Sequence, residues 1–320
     1  MRANLEAEIR RIASSSEGEV GVAARHMESG RSFTINDDRI YPLASTVKLA
    51  LALAILDAVD RGDLSLQRMV DVETQEMNPS EIAGIGDLFF RPGVSLSIRN
   101  LLEGMITRSC NTSTDVLFRV AGGPKAVAHY LKRLGVTDFE CTRTMREALC
   151  ILHELPLPPD DVSVVQYLAG QPQHVLDARN RTNAAFHHDR RDQARPSAML
   201  ELLRRIWEAD GVSEAARRAL LEIMSRTVTA VDRVQARLPF GIPFASKGGS
   251  GAGTAVDVGY LTLPPGQGTV ALAIFVKASP LDMASRNRII ADIARLIADY
   301  FIITSERHPP PPGQEREGRS

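Results

Sequence analysis

The chain has 320 residues and a mass of 34.9 kDa, enough for one large or two modest domains. Hydrophobic residues are 44% and charged residues 24% of it, a balance that excludes a largely disordered protein. With 38 Lys and Arg against 39 Asp and Glu the net charge is −1, so there is no global attraction for nucleic acid or for an anionic membrane.

The N-terminus MRANLEAEIRRIASSSEGEV is too charged for the apolar core of a secretory signal. Its Leu5, Ile9 and Ile12 instead mark one face of an amphipathic helix. A cytoplasmic location is therefore expected. The three cysteines Cys110, Cys141 and Cys150, an odd count without metal-like spacing, agree with a reducing compartment. EVGVAARHM and SFTIN read as a β-hairpin around Glu28-Ser29-Gly30-Arg31. From Ser45 to about Arg61 runs a very apolar helix, closed by Gly62. Its apolar run Leu49–Leu56 is far shorter than the roughly 20 residues that span a bilayer. The stretch from about Val70 to Pro92 reads as irregular loops. Ile98, Leu101, Leu102, Met105 and Ile106 define a second helix with Ser97 as its cap.

Another helix is expected over Ala121–Leu134. Residues 150–190, with LPLPPDD and scattered Gln, His and Arg, read as an insertion or long loop. Helices resume at Pro196 and continue, with a break, to about Arg237. FASKGGSGAG, AVDVGYLTLP and TVALAIFVKA then read as strands, and Ile289, Ile290, Ile293, Leu296 and Ile297 as the stripe of a closing helix. ERHPPPPGQEREGRS is a proline-rich polar tail, expected to be disordered. This order implies an α+β fold. An antiparallel sheet draws on both chain ends (a lobe of about 1–44 and 240–304), and an all-helical lobe of about 45–239 is inserted. Together they form one functional domain over 1–304, and 305–320 is the tail.

Three short motifs carry chemistry. Ser45-Thr46-Val47-Lys48 opens the apolar helix. Residues three apart share a helical face, and a helix N-terminus favours negative charge. A serine there can act as a nucleophile and a desolvated lysine as its base; a capping serine beside a surface lysine is the plainer alternative. Ser109-Cys110-Asn111 follows the second helix and can relay a proton and hold a carbonyl, or merely cap the helix that follows. Lys247-Gly248-Gly249-Ser250-Gly251 places glycines inside a strand, where they are unfavourable unless something approaches the backbone closely; a bulge or turn is the alternative. Its spacing fits neither the P-loop nor the dinucleotide fingerprint.

In this order the motifs resemble the S-x-x-K, S-D-N and K-T-G set of the class A β-lactamases, within the penicillin-recognising serine hydrolases. The resemblance runs from about residue 17 to 302 and includes the flanks YPLASTVK, ITRSCNTSTDVLFRVAGGPKAV, RRDQARPSAM and RLPFGIPFASKGGSGAG. It implies a β-lactamase-like fold and a small-molecule substrate (a β-lactam, amide or ester) handled without metal or cofactor. By the same resemblance, Ser45 is acylated and Lys48 helps to deprotonate it. Ser109 carries the proton to the leaving amine, and Lys247 holds Ser109. Asn111 binds the substrate amide. The Ser45 and Ser250 N–H groups form the oxyanion hole beside Gly249, and Arg233 holds a substrate carboxylate.

Three departures matter. Cys110 replaces an aspartate, and Gly248 replaces a hydroxyl residue. The third is the glutamate that positions the hydrolytic water. Aligned backward from Arg191, Asp192 and Pro196, Asn183 falls at the accompanying asparagine but Arg179 at the glutamate. Aligned forward from Leu134–Asp138, Met145 falls there. The disagreement implies an insertion and leaves Glu147, His187 or His188 as substitute bases, or else slow turnover. A metal at His187-His188-Asp189 is disfavoured against a solvated loop, because adjacent histidines point apart. The alternatives are an amidase, peptidase or esterase related to D-alanyl carboxypeptidases, and a non-hydrolytic binding protein that keeps the pocket.

Overall fold

The computed structural model describes residues 1–305 apart from Phe90, Pro92 and Phe240; beyond Ser305 the proline-rich tail lies outside the described residues. The chain begins with α1 (Arg2–Ser14) and the hairpin β1 (Glu19–His26) and β2 (Ser32–Ile35). β3 (Tyr41–Pro42) leads to a 3-10 turn (Ala44–Val47) that runs directly into α2 (Lys48–Asp60). The regular helix thus starts at Lys48, and Ser45 sits in the tighter turn ahead of it. The stretch expected to be irregular contains β4 (Met69–Asp71), α3 (Ile85–Leu88) and, after it, β5 (Ser95–Ser97). α4 (Ile98–Thr107) is capped by Ser97, whose Oγ accepts from Asn100 N at 3.2 Å. α5 (Asn111–Val120), α6 (Pro124–Arg133), β6 (Phe139–Cys141) and α7 (Met145–Leu152) follow.

The expected long loop is structured. It holds α8 (Val164–Ala169), α9 (Gln173–Leu176) and α10 (Ala184–His188) before β7 (Asp192–Ala194). These helices are short, four to six residues, and lack the sustained apolar period that would reveal them in sequence. α11 (Pro196–Glu208), α12 (Glu214–Ser225), β8 (Phe244–Gly251), β9 (Thr254–Thr262), β10 (Thr269–Lys277) and α13 (Met283–Thr304) complete the chain.

The main sheet has the order β2-β1-β10-β9-β8, and its pairs are antiparallel. The first hairpin therefore joins the edge of a meander made from the last third of the chain, giving an α+β arrangement. Strand alternation divides the core. On β10, Val270, Leu272, Ile274 and Val276 face a cluster with Leu5, Ile9, Ile290, Ile293 and Ile297 of α1 and α13. Ala271, Ala273 and Phe275 face the other way, into a cluster with α2, α4, α5 and α11. α2 runs through that second cluster with residues Leu49–Leu53 buried in unbroken succession, as a helix apolar on all sides must be. Lys48 enters this environment as its first residue. Among the described residues no helix is long and apolar enough to cross a membrane.

Candidate active site

Strand β8 passes across the N-terminus of α2. A Cβ added to Gly249 would lie 2.9 Å from Ser45 N and 3.1 Å from Ala44 Cβ. The glycine-rich strand is thus explained by close approach to the turn that bears Ser45. Two residues at this junction hold left-handed backbone conformations uncommon for side-chain-bearing residues: Ala44 (φ 46°) and Ser109 (φ 56°). Such strain persists where surrounding structure enforces it, and it clusters at functional sites.

Lys48 and Lys247 are both fully buried and meet at Ser109. Lys48 Nζ donates to Ser109 Oγ (3.1 Å), Ser109 O (2.7 Å) and Asn111 Oδ1 (2.7 Å). Lys247 Nζ donates to Ser109 Oγ (2.9 Å) and Gly248 O (2.7 Å). Burial drives the Lys48 pKa well below the ordinary lysine value, and the charge of Lys247 adds to the effect. Burial likewise lowers Lys247 to about 7, against the opposing pull of Glu81 and Asp257. Both shifts favour the neutral amine, the form that accepts a proton.

Asn111 donates through Nδ2 to Pro79 O at 2.7 Å; an amide has a second N–H, which remains available beyond that carbonyl. Cys110 caps α5, its Sγ accepting from Ser113 N and Ile85 N, both at 3.4 Å. The thiol braces the turn with two long, weak bonds where a carboxylate would make strong ones.

Arg233 lies beneath β8, only 2% exposed. Its Nη1 donates to Gly249 O and Val256 O (2.7 Å each), Nη2 to Ser250 Oγ (2.6 Å) and Nε to Asn287 Oδ1 (2.9 Å). This is the placement under the Lys247 strand that the expected carboxylate contact requires, and the guanidinium reaches the site through Ser250 Oγ. Gly248 has its reason here too: a Cβ would collide with Ala230 Cβ and crowd Arg233 Nη1 at 3.3 Å.

A cavity of about 40 Å3 opens at Ser45, with Met145, Leu149, Leu152, Arg179 and Phe186 on its far wall. Both residues that the two alignments placed at the glutamate position, Met145 and Arg179, line it. The substitute bases do not. Glu147 Oε2 accepts from Thr144 N (2.8 Å) in a capping box, and Oε1 pairs with Arg191. His188 is exposed. Asn183 caps α10, accepting from Phe186 N (3.0 Å) and donating to Ile151 O (2.8 Å). Glu147 is read from its place two residues beyond the forward-aligned position and Asn183 from the backward alignment, and neither lines the cavity.

The loop is an ordered body. Arg143 joins its two ends by donating to Asp189 (3.0 Å) and Asp192 (2.9 Å), and Phe186 packs where any Cβ on Gly251 would intrude. His187 is buried and donates through Nε2 to Ala252 O at 2.6 Å; burial lowers its pKa. The solvated-loop expectation is thereby corrected for His187 and Asp189. Among the described residues no group of three or more His, Cys, Asp or Glu is placed to hold a metal ion.

Two contributors escaped the sequence reading. Asp115, on α5, accepts from Met145 N (2.7 Å), Arg146 N (2.9 Å) and Asn78 Nδ2 (2.8 Å), and so sets the first turn of α7 against the cavity. Burial raises its pKa to about 7. Glu81, in the stretch read as irregular, accepts from Ser250 Oγ at 3.1 and 3.3 Å. Neither has a local motif; only a tertiary contact reveals it.

Residues 4–301 match the Beta-lactamase enzyme family. The chain is 25% identical over 307 residues to Beta-lactamase VEB-1 of Pseudomonas aeruginosa, covering 93% of this chain and 91% of that protein. It is 27% identical over 297 residues to the extended-spectrum β-lactamase PER-1 of the same organism, covering 91% and 85%. Among solved structures, TLA-1 extended-spectrum β-lactamase superposes with a TM-score of 0.76 at 25% identity, covering 94% of this chain and 99% of that one. A β-lactamase from Chitinophaga pinensis gives 0.72 at 27% identity, covering 93% and 99%.

Proposed function

We propose that this chain, which belongs to the Beta-lactamase enzyme family, acts through a Ser45 acyl-enzyme formed with β-lactams or related amides and esters. The observation that carries the reading is the buried line Lys48–Ser109–Lys247, hydrogen-bonded end to end beside the turn that bears Ser45. The neutral Lys48 amine takes the Ser45 proton as Oγ attacks the carbonyl. Backbone N–H groups of Ser45 and Ser250 face the developing oxyanion. Ser109, which accepts from both lysines, delivers its own proton to the departing nitrogen and is reprotonated by Lys48, which passes on the proton taken from Ser45. A pure binding protein would have no use for two buried amines converging on one hydroxyl, since each is costly to desolvate.

Deacylation is the weak half of this cycle. No carboxylate occupies the Met145 position, and a guanidinium such as Arg179 cannot serve as a base at neutral pH. The acyl-enzyme therefore turns over slowly. The buried free thiols suit the reducing cytoplasm, which is the location proposed. Intact-protein mass spectrometry with benzylpenicillin tests the reading. Wild type gains the mass of one penicilloyl group on Ser45, and Ser45→Ala gains none. Equal labelling of the two proteins would refute it.

A further inference from the structure

Glu81 stands against Ser250, one of the residues that line the cavity. Its carboxylate accepts from Ser250 Oγ, and that same Oγ accepts from Arg233 Nη2 beneath the strand. Ser250 and Arg179 both line the cavity that contains Ser45. Burial alone would raise the Glu81 pKa, but Arg179, Arg233, the Ser250 hydroxyl and Lys247 outweigh it and hold the group below the usual carboxylate range. The Ser250 hydroxyl, itself held by Arg233, thus points a protein carboxylate at the cavity edge that Arg179 also lines.

The backbone that carries Glu81 is tied to the site. Ser80 N donates to Asp87 Oδ2 and Ser80 Oγ accepts from Asn111 N, each at 3.0 Å. Pro79 O accepts from Asn111 Nδ2, and Asn78 is fastened to Asp115 and Thr112. Residues 78–80 are therefore held by the first turns of α5, the helix that follows Ser109. Glu81 thus follows directly on a strap tied to the site.

We propose that Glu81 sets the substrate class of this site: its carboxylate fills the anion position that Ser250, Arg179 and Arg233 create beside Ser45, so the enzyme prefers acyl donors that bring no carboxylate of their own. A donor with a carboxylate next to the scissile bond must displace Glu81 and place a second negative charge near the first. A neutral donor leaves the arrangement intact. The proposal rests on the acyl-enzyme reading above.

Benzylpenicillin and its methyl ester share a ring system and differ in this one charge. Their second-order acylation rates are measured by intact mass on the full chain for wild type, Glu81→Gln and Glu81→Ala. Glutamine keeps the reach and the hydrogen-bonding oxygen and loses the charge. The acid-to-ester rate ratio should rise about tenfold or more in both variants, equivalent to about 1.4 kcal/mol. A ratio within about twofold of wild type overturns the proposal, and so does a parallel fall of both rates, which would make Glu81 a brace for its loop. If neither compound labels the wild-type chain, the acyl-enzyme reading has failed instead. The test then passes to equilibrium affinities for acid and ester in Ser45→Ala and Ser45→Ala/Glu81→Gln: a tenfold rise in the affinity ratio supports the Glu81 proposal, and an unchanged ratio overturns it.

Discussion

On one side of Ser45, two lysines from α2 and β8 converge on Ser109, and the resolved polar atoms there have partners at 2.7–3.1 Å. On the other, residues 143–192 present Met145, Leu149, Leu152 and Phe186 to the same cavity. The first wall suits the proton transfer proposed for it: burial pulls both amines toward neutrality, and a dense network keeps their desolvation tolerable. The second is largely apolar, and the carboxylate among its lining residues, Asp192, is paired with Arg143 at 2.9 Å. The two walls come from different elements, so the acylating apparatus can stand intact while the water-activating one is absent. Glu81 belongs to neither. It reaches the site from the strap before α3 and alters which charge the first wall meets.

The sharpest way to break this comparison is to disable the first wall. Lys48→Ala removes the group closest in chain and helix face to Ser45, and it should slow acylation by at least about 100-fold. Stopped-flow with a chromogenic β-lactam measures this. A rate within tenfold of wild type would mean that Lys48 is not the base and that the polar network is structural.

The second wall invites the reverse experiment. Wild-type adduct on Ser45 should persist for many minutes after excess penicillin is removed. Met145 is 5% exposed and lines the cavity at the first turn of α7. Met145→Glu places a carboxylate there, and deacylation should accelerate by about tenfold. Rapid return of wild type to free enzyme would show instead that some group on the present wall already activates water.

A pH profile separates the two lysines. Burial is the larger cause of the Lys48 shift and the Lys247 charge the next, so the pair titrates as a unit. Acylation should climb as pH rises through the depressed pKa, far below the ordinary lysine value, because the reactive form is the neutral amine. Lys247→Met removes a neighbouring positive charge, which favours protonated Lys48. The rising limb should therefore move to higher pH, by about one unit. A limb that stays put would mean that the Lys247 charge does not bear on the base.

The legible parts of the fold are those whose signal is local. Period-2 alternation marks β1 and β2, a continuous apolar run marks β10, and the apolar faces of α4 and α13 are plain in spacing. β3, β4, β6 and β7 span two or three residues and exist only through their partners; no pattern that short can announce a strand. At the candidate site, the three motifs are visible because each sits within five residues, and the structure brings Lys48, Ser109, Asn111 and Lys247 into hydrogen-bonding contact. Asp115 and Glu81 could not be read this way, since each acts on a residue 30 or more positions away. The misplacement of Glu147 has the same origin: counting along the chain cannot tell which side of a capped helix start faces the cavity.

Glu147 supplies the smallest expected effect, and a discriminating one. Its carboxylate completes the Thr144 capping box and meets Arg191 on the outer side of α7, while Met145, two residues earlier, faces Ser45. Glutamine can take the same capping position, and the pairing with Arg191 is half exposed and worth little. Glu147→Gln should then change stability by no more than about 0.5 kcal/mol and leave the lifetime of the Ser45 adduct within about twofold. Denaturant melts and adduct decay by mass spectrometry check both. A long-lived adduct appearing only in the variant would mean that Glu147 reaches the cavity in solution and serves as the base, and the inert wall would have to be redrawn around it.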